Sequence, residues 1–249
     1  MKYEKENNKS NNISKLIPNG ITMLALCSGI TSIRYSISEE WKIAALFIIF
    51  ASILDFFDGW VAKKLMGGSH FGAELDNLSD IISFGVAPSI LIYYWSLQSL
   101  NSLGWAISLF FVICAALRLA RFTTDIHLSD EPINKSKYFV GIPSPAAAGL
   151  ILFNLFAFFQ FEYSFLINPY FNSIVLIIVG IMMITKIPTI SPKNLSVKNN
   201  QRTWLILGIA IVSIGLISNI WITLMIALLL YLFSVIYTIK VNFKKIKMK

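Results

Sequence analysis

Charge is scarce in this chain of 249 residues: Asp, Glu, Lys and Arg together make up 14% of it, against about 25% in a soluble domain. With 56% hydrophobic residues and a mean hydropathy of +0.68, it has too little polar surface for a water-soluble fold. Cysteine is scarcer still. Cys27 and Cys114 both sit inside apolar runs, with neither a disulfide framework nor a metal-binding spacing, and read as inert packing residues. The only histidines, His70 and His127, fall in polar turns without ligand spacing and read as solvated side chains. No basic face is interleaved with exposed aromatics, so the net charge of +8 does not point to nucleic acid.

What the chain does have is long apolar runs. Their spacing predicts an all-α polytopic membrane protein with about eight helices, at residues 17–37, 41–61, 71–95, 103–121, 145–161, 170–187, 203–217 and 219–241. Residues 1–15 form a Lys-, Asn- and Glu-rich tail, expected to be disordered at its start. No small-residue cleavage pattern closes the first run, so it reads as a retained helix with Pro18 in its first turn. Gly85 and Pro88 predict a bend within 71–95. Residues 16–241 are expected to form one transmembrane domain, and the basic tail at 242–249 is expected to meet anionic lipid headgroups.

Orientation follows from the basic residues. With the N-terminus inside and the spans alternating, all of the 21 lysines and arginines except Arg34 and Lys42 fall on the inner side. Both termini are therefore expected in the cytoplasm. So is the turn between the second and third helices.

That turn is flanked by four aspartates at the ends of apolar helices, where an ionised side chain is expensive. Asp55 and Asp58 lie three apart on the second helix, and Asp76 and Asp80 four apart on the third; each pair shares a helix face. The helices are antiparallel neighbours, so the two pairs converge. Four clustered carboxylates repel one another, and a hard divalent cation such as Mg²⁺, Mn²⁺ or Ca²⁺ relieves this. Gly59, Ala62 and Gly72 keep the surroundings small, and Lys63 and Lys64 are available to phosphate. Spacing alone leaves two readings: a metal-dependent phosphoryl-transfer enzyme acting on a lipid-linked substrate, or an ion or proton pathway. Against the second, no comparable polar site lies at the midplane.

The run Asp55-x2-Asp58-Gly59-x2-Ala62-Lys63-x8-Gly72-x3-Asp76-x3-Asp80 resembles the signature of the CDP-alcohol phosphatidyltransferases. The family usually has Arg where this chain has Lys63, which keeps the charge and loses the guanidinium fork. The stretch from Phe71 to Pro88, Arg118-Leu-Ala-Arg121-Phe122 and Gly141-Ile-Pro143-Ser-Pro145 resemble the bacterial and archaeal phosphatidylserine synthases of that superfamily, and Pro18, Asn19 and Thr22 fit as well. The resemblance implies a six-helix core, often in a homodimer. It also implies a Mg²⁺ or Mn²⁺ cofactor held by Asp55, Asp58 and Asp76, with Asp80 as a further ligand or as general base. CDP-diacylglycerol and L-serine would be the substrates, with room for the cytidine nucleotide beside Gly59, Ala62 and Gly72. Glycerol 3-phosphate or inositol phosphate is the acceptor in related enzymes. Arg118 and Arg121 have two readings: snorkelling anchors, or recognition of serine carboxylate or substrate phosphate. Asn19 and Thr22 also have two readings, facing the nucleotide or capping and packing, of which packing is preferred, and Glu74 lies outside the metal site.

Overall fold

The computed structural model describes residues 2–64, 70–128, 138–185, 188–190 and 202–246. Helix α1 runs Lys2–Ile37, α2 Trp41–Lys64 and α3 His70–Asp80; a π-helical segment, Ile81–Val86, joins α3 to α4, Ala87–Trp95. Then come α5, Ser102–Leu128; α6, Ser144–Phe161; α7, Pro169–Ile184; α8, Arg202–Ser218; and α9, Ile220–Ile246. Among the described residues six helical stretches are long and apolar enough to cross a membrane: Leu16–Ile37, Trp41–Val61, His70–Trp95, Ser102–Arg121, Ser144–Phe161 and Ile220–Lys240. Helices α7 and α8 are shorter, at 16 and 17 residues. The loop and tail residues Lys135, Lys137, Lys186, Lys193, Lys198, Lys247 and Lys249, counted above for orientation, lie outside the described residues, as do the side chains of Ala62, Lys63 and His127.

Two expectations at the N-terminus need correction. The helix begins at Lys2, and Pro18 lies inside it rather than in its first turn. Residues 2–15 contain neither Gly nor Pro, and their Lys and Glu favour the helix beside the weaker formers Asn and Ser. Pro18 costs one backbone hydrogen bond. One turn on, the Thr22 hydroxyl oxygen lies 3.0 Å from the Pro18 carbonyl.

Small residues bring α1 against its neighbours. Thr22, Ala25, Ser28, Ser32 and Ser36 are buried along one face. Ser28 and Ser32 donate to the carbonyls of Phe47 and Ala44 on α2, at 2.7 and 2.8 Å. On the facing side of α2, Ala44, Ile48 and Ala51 are buried at helical spacing, and Asp55 and Asp58 continue the same stripe. Close backbone approach with hydroxyl bonds across it is how helices associate where no hydrophobic drive exists between them. Gly29 shows how close the approach is: a Cβ there would lie 2.8 Å from Cα of Ser83.

The bend expected near Gly85 and Pro88 takes the form of the π segment. The Ala87 amide reaches back five residues to the carbonyl of Ile82, and Pro88, which lacks an N–H, then sits in the first turn of α4. Ser83 donates to the Ala25 carbonyl at 3.1 Å, fixing this segment to α1, and Gly85 lets it approach Ala115 of α5.

The far end of the bundle is held by a polar cluster. Asn172 donates to Ser96 Oγ and to the Leu166 carbonyl, both at 2.9 Å, and accepts from Asn154 Nδ2 at 2.9 Å. Asn172→Ala leaves Ser96 and Asn154 without these partners in a buried setting. It is expected to cost about 1–3 kcal/mol, read as a lower Tm in detergent with catalytic constants unchanged in the folded fraction. At the opposite end Tyr138–Val140 (β1) pairs antiparallel with Pro188–Ile190 (β2), Phe139 opposite Thr189. This two-strand clasp joins segments that read from sequence only as polar loops. After it, Gly141 takes φ +84, a left-handed backbone suited to glycine, and leads into α6.

Helix α9 lies antiparallel along α6. Asn219 Nδ2 donates to Gln160 Oε1 at 2.7 Å, Trp221 packs on Phe156 and Phe159, and Leu228 packs on Gly149.

Candidate active site

The carboxylates come from two helices that meet beside α1. Asp55 is carried by the buried stripe of α2, and Asp76 and Asp80 stand one turn apart on α3 immediately before the π segment. One carboxylate oxygen from each of Asp55, Asp76 and Asp80 lies within 4.8 Å of the other two. Ionised carboxylates this close repel one another unless a proton or a cation lies between them. The set is all oxygen, compact and half-buried, and it suits a hard divalent ion.

Asp58 belongs to the same cluster but faces differently. It is 5% exposed and accepts a hydrogen bond from the Thr22 hydroxyl at 2.6 Å. It lies within electrostatic reach of Asp76, yet stands outside the group of three. The bond sets Thr22 beside the carboxylates, against the preferred packing reading. The signal available was its position on the small-residue face of α1, one turn before Ala25. Ser79 follows the same line and donates to the Thr22 carbonyl at 3.4 Å.

Space adjoins the carboxylates. A Cβ at Gly59, next to Asp58, would meet nothing within 4 Å. Gly72 is half-buried one turn before Asp76, while Glu74 points outward, apart from the three carboxylates. Lys64 stacks over the ring of Trp60, 4.8 Å from its centroid, so its charge is anchored at the end of α2.

The two arginines on α5 part company. Arg121 Nη1 donates to the carbonyl of Ile184 at 2.9 Å and so caps α7. Arg118 turns inward. Its Nη1 donates to Ser144 Oγ, at the start of α6, at 2.5 Å. Its Nε is buried and makes no hydrogen bond, and it lies within electrostatic reach of Asp80. Among the described residues Arg118 is thus a cation near the carboxylates, and its Nε is uncommitted.

The arrangement suits binding a divalent ion, accepting a proton at Asp80 and holding a small anion at Arg118. The CDP-alcohol phosphatidyltransferase pattern matches residues 15–189, a range that includes every one of these groups. A CDP-diacylglycerol–serine O-phosphatidyltransferase of Mycobacterium leprae is 31% identical over 225 residues, 90% of this chain and 75% of that protein. One of Helicobacter pylori is 37% identical over 175 residues, 69% of this chain and 70% of that protein. One of Bacillus subtilis is 36% identical over 171 residues, 69% of this chain and 88% of that protein.

Proposed function

Because the chain belongs to the CDP-alcohol phosphatidyltransferase family, we propose that it is the member that moves the phosphatidyl group of CDP-diacylglycerol to the hydroxyl of L-serine. The observation that carries this reading is the meeting of Asp55, Asp76 and Asp80 within 4.8 Å, across two helices that span the membrane. The names of its relatives supply the acceptor.

Asp55, Asp76 and Asp80 would hold Mg²⁺ or Mn²⁺, with Asp58 beside them. Such an ion supplies charge neutralisation for a diphosphate and its leaving phosphate. The rest falls to the chain. Gly59, Ala62 and Gly72 leave room for the cytidine nucleotide, and Lys63 offers charge to phosphate. Arg118 holds the acceptor by its carboxylate, while Arg121 supports the site by holding the end of α7. The serine hydroxyl attacks the phosphorus that bears the diacylglycerol. A new O–P bond forms, the P–O bond to CMP breaks, and Asp80 takes the hydroxyl proton. The bias of the basic residues supports an orientation with this end of the bundle, and both termini, toward the cytoplasm, where serine and nucleotide are available.

An acceptor panel tests the assignment. Purified protein in detergent with CDP-diacylglycerol and Mn²⁺ is expected to release CMP with serine, and far more slowly with glycerol 3-phosphate or inositol phosphate. Release with either of those and not with serine would move the chain to another branch of the family.

A further inference from the structure

The family pattern ends at residue 189, so α9 lies outside it. Yet α9 brings a polar group to the level of the acceptor end of the site. Its contacts with α6 set the register: Asn219 meets Gln160, Trp221 meets Phe156, and Leu228 meets Gly149. Advancing along α9 by one turn from Leu228 retreats by one turn along α6. Tyr231 therefore stands at the level of the first turn of α6, where Ser144 receives Arg118. Its ring packs against the core of the bundle, on the stripe that Leu224 and Leu228 begin.

Two polar atoms are left over there. The Tyr231 hydroxyl and Arg118 Nε are both buried, and neither makes a hydrogen bond. Tyr231 and Arg118 lie within electrostatic reach of each other, and Arg118 also reaches Asp80. A buried donor without a partner carries a desolvation cost that a native fold rarely leaves uncompensated. Two at one level, on different helices, share one simple remedy: an anion that accepts from both. With Nη1 occupied by Ser144, the free edge of the guanidinium is the one that includes Nε. That edge suits a carboxylate, and a phenol beside it adds a donor to the same group.

We propose that Tyr231 is an acceptor-binding residue: its hydroxyl and Arg118 Nε together receive the carboxylate of a small amino-acid acceptor and point the acceptor hydroxyl toward Asp80. This rests on the acceptor reading given above and adds a contact from beyond the family core. Helix α9 is then part of substrate recognition as well as of the membrane anchor.

Tyr231→Phe removes the hydroxyl and keeps the ring. Kinetics are read as CMP release with serine and with CDP-diacylglycerol varied in turn, alongside the Tm of each purified protein. The expected result is a KM for serine raised about tenfold or more, as for a lost hydrogen bond to a charged group. The KM for CDP-diacylglycerol should stay within twofold, and the Tm should be equal to or above that of the parent. A KM for CDP-diacylglycerol that rises in place of that for serine would assign the hydroxyl to lipid phosphate and overturn the proposal. So would unchanged constants, or a lowered Tm with an unchanged KM for serine, which would mark a structural hydroxyl. If the parent protein releases CMP only with a different acceptor, the serine assignment fails on its own. Tyr231 is then judged by whether its variant raises the KM for that acceptor.

Discussion

Asp80→Asn is expected to lower the rate of CMP release by at least about a thousandfold, in line with the loss of a positioned general base. Asn has the shape of Asp, so the helices should pack as before and the Tm should hold. Asp80 nonetheless lies in the group of three carboxylates, and a low rate alone does not separate the loss of a base from the loss of a metal ligand. Asp76→Asn provides the comparison. Activity is measured across a Mn²⁺ titration for both variants. If Asp80 acts as the base, its variant should stay inactive at every Mn²⁺ concentration, while Asp76→Asn should recover part of its activity as Mn²⁺ is raised. Removal of metal by EDTA should silence the parent, and added Mn²⁺ should restore it. Substantial turnover by Asp80→Asn would remove the base assignment.

The second large effect is expected at Arg118. Arg118→Lys keeps a positive charge on α5 and therefore keeps the topology signal. It loses the planar fork: the bond to Ser144 and the free Nε edge cannot both be reproduced by one ammonium. We expect the KM for serine to rise by about 30-fold or more, matching about 2 kcal/mol for disrupting a buried charged contact, with a much smaller change in the KM for CDP-diacylglycerol. Arg121→Lys should behave differently. An ammonium can still reach the carbonyls at the end of α7, so its effect should be confined to a modest fall in Tm. Equal effects of the two substitutions on serine would mean that neither arginine is distinguished by its contacts.

Much of the site was legible because its chemistry is local along the chain. Asp55 and Asp58 share a helix face by spacing alone, as do Asp76 and Asp80, and a short turn forces their helices together. The small residues between them could be read the same way. What the spacing did not carry was the direction of each side chain. Asp58 turns to Thr22 because α1 lies against α2 along a row of small residues, and that pairing spans 36 positions. Arg118 and Arg121, three apart, look alike in sequence. They separate in the fold because one faces the start of α6 and the other the end of α7. Tyr231 has no distinguishing spacing in the apolar run at 219–241; the contacts of α9 with α6 fix its height. The bend at Gly85 and Pro88 was expected, but not its form, since a proline can be accommodated by a kink or by a wider turn.

The wider turn has a consequence for how this protein can change. An extra residue in a helix shifts everything beyond it by about 100° around the axis, so the π segment sets the phase between the two halves of one membrane span. The half before it must aim Asp76 and Asp80 at Asp55; the half after it must aim Leu91 and Trp95 at the core. A regular helix would tie these two demands to one rotation. Here the offset lets each half meet its own, so that the carboxylates and the core residues of one span are both correctly aimed.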